Sequence, residues 1–192
     1  MATAQQAGVR SRIDELQRQL DPQSARDEAI EELDHLFAGG RSPEPQPVGF
    51  LHGRLITTSI SSPVDVSARR IAGMWMPWMG KSFSPESQSG VNILTASAAR
   101  PMRLLWPAYV PEGETSDGIE AFRFRTRLAP GEIDPGLEVL KIDYDFDANP
   151  DFIIRRVLDE LVQVDERFYL GKILYRWKGT FRRIGFFSLE SA

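Results

Sequence analysis

Two stretches in the second half of the chain alternate almost strictly between apolar and charged residues. Ala121 to Leu128 places its apolar residues on one side and three arginines on the other, and Glu138 to Asp147 repeats the pattern. A period of two predicts strands with one buried face. The Pro- and Gly-containing stretch 130–136 between them predicts a turn, so the two strands should form an antiparallel pair.

The charged sides of these two strands would face each other, and they suggest either an ionic site or an exposed surface. The residues concerned are Arg123, Arg125, Arg127, Glu138, Asp143, Asp145 and Asp147. Neighbouring carboxylates on a flat strand diverge, whereas a hard cation prefers a loop that folds its oxygens inward. We therefore favour an exposed, salt-bridged face and predict no metal site.

Further strands are predicted along the chain at short intervals. They cover 48–61, 91–96, 102–110, 158–164, 168–177 and 184–189. Residues 1–47 differ, because they contain two short helical patterns and a proline-rich connector at 41–47. We predict a mainly β (α+β) protein, an antiparallel lipocalin-like β-barrel or half-barrel over 48–192 with an N-terminal helical pair over 1–47.

Composition excludes several functional classes. The 192 residues include no cysteine, which excludes disulfides, a thiol nucleophile and thiolate metal sites. The net charge of −4 argues against nucleic acid as a partner. No apolar run approaches the ~20 residues of a membrane span, and no signal peptide is recognisable, so we expect a cytoplasmic protein. Nucleophile-elbow, phosphate-loop and dinucleotide motifs are absent, and we predict no cofactor.

The segment Gly73 to Phe83 is the most unusual part of the sequence. It concentrates large, polarisable side chains around one cation; the residues are Trp75, Met76, Trp78, Met79, Lys81 and Phe83. One interpretation is the wall of an apolar ligand pocket, in which Lys81 meets an oxygen atom of the ligand. The other is an ordinary packed core from which Lys81 reaches water.

Further polar residues are candidates for orienting or transforming a ligand. His52 lies near the start of a predicted strand and could act as a general base or a haem ligand, although a lone histidine is more often structural. Asp159 and Lys172 could form an inward pair, with Tyr169 supplying a hydroxyl. Gly171 inside a strand indicates a bulge or a close approach by a ligand. Candidate catalytic residues are therefore Lys81, His52, Asp159 and Tyr169; candidate ligand contacts are the aromatic and methionine residues of 75–83 with Asn92, Tyr144 and Lys172.

Three segments resemble GXWXG-type domains. They are the helix ending in Leu36-Phe37, the pentapeptide Gly49 to Gly53, and Trp78 to Phe83. The C-terminal block from Asp159 to Glu190 is similar to the domain that usually follows. The middle tryptophan of the pentapeptide is replaced here by Leu51. The resemblance implies a small lipocalin-like or calycin-like barrel and no particular reaction.

Three functions remain open at this point. The first is binding of a small hydrophobic metabolite in the barrel cavity, as in a carrier protein. The second is a cofactor-independent cyclase, isomerase or hydro-lyase that uses the same cavity. The third is an oligomeric structural protein, for example a homodimer, whose aromatic segment forms the interface.

Overall fold

The structure, a computed structural model, describes residues 2–20, 23–58, 77–116, 118–151 and 153–191. Three helices are present in this part of the chain: α1 (Ala2–Gln19), α2 (Gln23–Ala38) and α3 (Ala99–Leu105). The strands are β1 (Gly49–Thr58), β2 (Trp78–Ser84), β3 (Ser89–Leu94), β4 (Gly113–Glu114), β5 (Ile119–Pro130), β6 (Glu138–Asp143), β7 (Val157–Asp165), β8 (Phe168–Trp177) and β9 (Thr180–Ser191). No helix of the described residues has the length and apolar character needed to cross a bilayer.

Eight of these strands close into an antiparallel barrel. The order around the wall is β3-β2-β1-β9-β8-β7-β6-β5, and pairing between β3 and β5 closes the ring. The two-residue strand β4 adds to β5 outside this ring. The predicted antiparallel barrel with an N-terminal helical pair is confirmed.

The two alternating strands pair as expected, but Lys141 on their charged face is buried, whereas that face was predicted to be exposed. Thr126 lies opposite Ile142 and Arg125 opposite Asp143, as an antiparallel register requires. The arginines are exposed, whereas Lys141 on the same face is buried, with 3% of its surface exposed. Lys141 is covered because its Nζ binds Glu132 Oε1 at 2.5 Å and lies 3.6 Å from Glu160 Oε1 on β7.

The barrel wall separates two hydrophobic cores. The inner core fills the barrel and includes Trp78, Phe124 and Phe187. The outer core lies between the wall and the helical pair, with Leu16 of α1 and Phe37 of α2 fully buried. Successive strand residues point to opposite faces, so β6 to β9 contribute side chains to both cores.

Two local predictions are wrong. Met102 to Val110 was expected as a strand, but Ala99–Leu105 forms helix α3, with Met102 buried against the barrel. Gly171 was expected to indicate either a bulge or a close approach by a ligand; the bulge is wrong, because Gly171 pairs regularly with Leu161. A Cβ atom at Gly171 would lie 2.2 Å from the Phe187 ring, so glycine is needed there to make room for that ring.

Candidate functional site

The centre of the barrel contains a buried cation, the ammonium group of Lys81. Lys81 lies on β2 and has 0% of its surface exposed. The register of β2 against β3 shifts between Trp78 and Gly80, so Met79 is an extra residue on β2. Such a bulge changes which residues share a face. It therefore brings Trp78 and Lys81, three positions apart, into the same interior.

Asp159 on β7 is the ionic partner of Lys81. Lys81 Nζ lies 2.9 Å from Asp159 Oδ2, and both side chains have no exposed surface. In the ring of eight strands β2 and β7 are four positions apart in either direction. The ion pair therefore joins opposite walls of the barrel.

Two neutral side chains complete the polar cluster, which we define as Lys81, Asn92, Tyr144 and Asp159. Lys81 Nζ donates to Asn92 Oδ1 at 2.9 Å and also to the Tyr144 hydroxyl. The Tyr144 hydroxyl donates to Asp159 Oδ2 at 2.9 Å. Asn92 Nδ2 in turn donates to the Phe122 carbonyl at 3.1 Å. This set of bonds fixes the orientation of both neutral side chains.

Four aromatic rings surround the ammonium group. The centroids of Trp78, Phe124, Tyr144 and Phe187 lie 5.1–5.5 Å from Lys81 Nζ, within the range of cation–π attraction. Three of these rings lie over glycines. A Cβ at Gly53 would meet Trp78 at 2.4 Å, one at Gly90 would meet Phe124 at 2.4 Å, and one at Gly171 would meet Phe187.

Burial shifts the pKa of every titratable group in the cluster. Desolvation lowers the pKa of Lys81, although Asp159 opposes the shift. Desolvation raises the pKa of Asp159 against the attraction of Lys81. The pKa of Tyr144 is raised well above 10.0, first by burial and then by the Asp159 charge. Both ionised partners are thus less stable than in water, which is the condition under which protons transfer between them.

A small cavity adjoins this cluster. Its volume is about 30 Å³, and its lining consists of Trp78, Asn92, Leu94, Phe122, Tyr144, Ile154 and Val157. The lining is apolar except where Asn92 and Tyr144 present the edge of the polar cluster. Asn92 and Tyr144 therefore lie between the cavity and Lys81 Nζ, and each of them is hydrogen-bonded directly to Nζ.

The structure brings only some of the sequence candidates to this cavity. Trp78, Asn92 and Tyr144 line it, and Phe83 packs on Phe124 in the same core. Met79 is half-buried at the bulge of β2. Trp75 and Met76 lie outside the described residues.

Other candidates lie elsewhere. His52 is exposed on the outer face of β1, with its ring against the edge of Phe50. Tyr169 is buried inside the barrel on β8. It lies four residues before Ile173, which is the residue of β8 that pairs with Asp159. Burial raises the pKa of Tyr169, while Arg41 opposes the shift.

The predicted inward pair of Asp159 with Lys172 is wrong. Asp159 is opposite Ile173, and Lys172 is opposite Glu160, so the two side chains project to opposite faces of the wall. Lys172 is buried in the outer layer, where Nζ lies 2.9 Å from Asp34 Oδ1 of α2 and 2.6 Å from Asp134 Oδ2. Lys172 therefore fastens the helical pair to the barrel and does not reach the cavity.

Several residues of the site were missed from sequence alone. Phe124 and Phe187 of the aromatic ring set, and Leu94, Phe122, Ile154 and Val157 of the cavity wall, were not singled out. The alternation of apolar and charged residues in β5 did predict that Phe124 lies on the buried face of that strand. Nothing local distinguished it from other buried residues, because its contact with Lys81 depends on barrel closure.

No three histidine, aspartate or glutamate side chains gather as a metal site in the part of the chain that the structure describes. The polar cluster contains a single carboxylate, and an ammonium group already binds it. The groups of this cluster can therefore exchange hydrogen bonds and protons with one another.

The comparisons with known proteins support the fold. No family model and no curated protein matches the chain. Among solved structures, the chain is similar to a protein from Thermomonospora curvata, with a TM-score of 0.51 and 17% identity over 87% of each chain. The fold and the site together define an antiparallel eight-stranded barrel with a buried ionic cluster beside an interior cavity.

Proposed function

We propose that the barrel binds a small, largely apolar molecule in its interior cavity, as a carrier or binding protein does. The observation that carries the proposal is the cavity itself, because most interiors are packed without a void larger than water. Its apolar lining offers a dry surface, and Asn92 and Tyr144 provide two polar contacts. This combination is typical of small-molecule sites.

The cavity restricts the size and charge of the ligand. A volume of about 30 Å³ is far below the ~300–1,000 Å³ of typical ligand pockets. Lys81 is neutralised by Asp159, so an uncharged ligand suits the site better than an ion. A ligand with an aromatic ring, such as toluene, exceeds this volume, since cavities that bind benzene measure about 150 Å³, and we expect the turn at Ile154–Arg156 to move when it binds. That turn follows Ile153, whose φ of 84° and ψ of −66° are strained for a β-branched residue.

The test uses toluene as the probe and a matched pair of variants. Val157→Phe adds a ring to the cavity wall, whereas Val110→Phe makes the same change at a residue with 80% of its surface exposed. We expect ligand-observed saturation-transfer NMR to detect toluene on the wild type and on Val110→Phe. The signal should be lost on Val157→Phe; equal signals on all three proteins would refute the cavity as the binding site.

A second candidate is a cofactor-independent cyclase, isomerase or hydro-lyase. It is favoured by the buried titratable cluster beside the cavity, since shifted pKa values are frequent at catalytic sites. An unpaired Lys81 would favour it more strongly, but Lys81 is bound to Asp159. Native mass spectrometry of the protein from its source would identify a retained compound. Chemical change of that compound on incubation with fresh protein would support the enzyme.

The remaining expectations receive less support. Trp78 lies inside the barrel, so it does not favour an aromatic interface between copies of the chain. We also propose the fold relation to GXWXG-type domains as an inference from short motifs: Leu51 is buried in the inner core where that family has tryptophan. A cytoplasmic location and a homodimer stay predictions.

A further inference from the structure

The distribution of lysines in this chain is unusual. Only four of its 23 basic residues are lysines, at 81, 141, 172 and 178. The structure describes all four and buries three of them. Arginine stays charged in proteins, whereas lysine can lose its proton when it is buried. A lysine inside the barrel therefore gives the interior an amine that arginine could not supply.

We propose that Lys81 captures a small aldehyde or ketone as an imine in the cavity. This inference rests on the proposed binding function and names the reactive class of its ligand. It depends on the position of Lys81 Nζ, which is hydrogen-bonded to Asn92 and Tyr144, the two polar residues of the cavity wall. A carbonyl compound bound there needs to displace one hydrogen bond to reach the amine.

The polar cluster contains the groups that the reaction needs. Asp159 Oδ2 lies 2.9 Å from Nζ and can accept a proton from the ammonium group, while Oδ1 of the same carboxylate has no hydrogen-bond partner. The free amine then forms a C–N bond to the carbonyl carbon, and the carbonyl oxygen takes a proton as its π bond breaks. Loss of water from this carbinolamine gives the imine; the overall change is amine plus carbonyl to imine plus water.

The surroundings of Nζ favour the product. Desolvation lowers the pKa of Lys81, which increases the fraction of free amine. The four rings around Nζ exclude bulk water, and so they limit hydrolysis of the imine. A protonated imine would keep the positive charge next to Asp159 and the rings.

The other lysines provide internal controls. Lys141 and Lys172 are as deeply buried, but they contact carboxylates on the outer face of the wall. Lys178 is exposed in the turn between β8 and β9. Reactivity that comes from the cavity should therefore appear at Lys81 and not at Lys141 or Lys172, whereas Lys178 reports the reaction of an ordinary surface amine.

The experiment treats the folded 192-residue chain with butanal and cyanoborohydride, which reduces an imine to a stable secondary amine. Peptide mass mapping then measures the butylated fraction at each lysine. We expect Lys81 to be modified at least ten-fold more than Lys141 and Lys172, with a rate that saturates in butanal and falls when toluene competes. The Lys81→Arg variant should lose this adduct and keep that of Lys178.

Three results would overturn the imine: modification of Lys81 no greater than that of Lys172, modification only after unfolding, or modification that toluene does not affect. Mapping of the wild type gives this answer even if Lys81→Arg does not fold. Toluene binding without a Lys81 adduct would refute the imine and leave the binding function standing. Absence of both would refute the binding function as well.

Discussion

At the scale of single residues, Lys81 and Asp159 form an ion pair whose desolvation is costly. Moving two charges into an interior costs several kcal/mol per ion, and their attraction offsets this only when further hydrogen bonds are present. Asn92 and Tyr144 supply such bonds, but Asp159 Oδ1 has none. A well-packed apolar pair of similar volume would be at least as stable, so stability alone does not account for this ion pair.

The pH dependence of stability should identify this pair. Burial raises the pKa of Asp159 from 3.8, so its contribution is present below that pH and is lost as pH rises through the folded value. Burial lowers the pKa of Lys81 from 10.5, so its contribution is lost as pH falls through the folded value. We expect the free energy of unfolding of the wild type, relative to Lys81→Met/Asp159→Leu, to be lowest near neutral pH and higher toward pH 4 and pH 10. Urea denaturation across that range measures it.

The single variant Lys81→Met is the control for this prediction. It leaves a buried carboxylate without its cation, which costs about 3–5 kcal/mol, and the second substitution should recover most of that loss. A difference between wild type and double variant that stays constant with pH would contradict the assigned pKa shifts.

At the scale of secondary-structure elements, the strands are matched to the rings that cross the barrel. Gly53 on β1 and Gly171 on β8 have no side chain, and the rings of Trp78 and Phe187 occupy that space. Trp78 and Phe187 then meet edge to face, with centroids 5.6 Å apart. The glycines therefore determine how the rings are arranged around Lys81.

Gly171→Ala tests this arrangement. The new Cβ would meet the Phe187 ring at 2.2 Å in a buried position, and overpacking of this kind costs about 1–3 kcal/mol. Gly136→Ala is the matched control, because a Cβ there has no atom within 4 Å. Thermal or urea unfolding should show a loss for Gly171→Ala that Phe187→Leu partly restores. Equal stability of the two alanine variants would be inconsistent with the close approach.

At the scale of the whole molecule, one sheet supports two cores. The inner core surrounds the candidate site, and the outer core attaches α1 and α2 to the same strands. Lys172 and Arg183 add ionic contacts from the wall to Asp34 of α2. β7 and β8 each contribute side chains to the inner core and to the outer core. We therefore infer that the helical pair and the barrel unfold together.

Phe37→Ala provides the test, because Phe37 is fully buried in the outer core far along the chain from the polar cluster. Truncation of a buried phenylalanine costs about 3–5 kcal/mol. We expect tryptophan fluorescence and far-UV circular dichroism to shift to lower urea by the same amount. Leu104→Ala, at a residue with 83% of its surface exposed, should change neither. Separate transitions for the two signals would show that the cores unfold independently.

Predictions from the sequence were accurate where the pattern is local. The predicted strand over 168–177 coincides with β8, and the predicted pair of alternating strands forms with β5 against β6. Lys81 and Asp159 were predicted as candidate catalytic residues, and Asn92 and Tyr144 as candidate ligand contacts. Asp159 was matched with Lys172, thirteen residues away, and not with Lys81, because sequence proximity carries no information about which strands face each other across a barrel.

The sequence by itself determined the alternation of buried and exposed residues, the turns, and hence the antiparallel sheet, because these depend on neighbours within a few residues. Only the tertiary structure decided that Lys81 and Asp159 meet. Their contact requires the closure of β3 on β5, which brings β2 and β7 to opposite sides of one narrow interior, and the extra residue Met79 in β2 turns the Trp78 ring into the same interior. Both are properties of the closed ring of strands, and no single segment contains them.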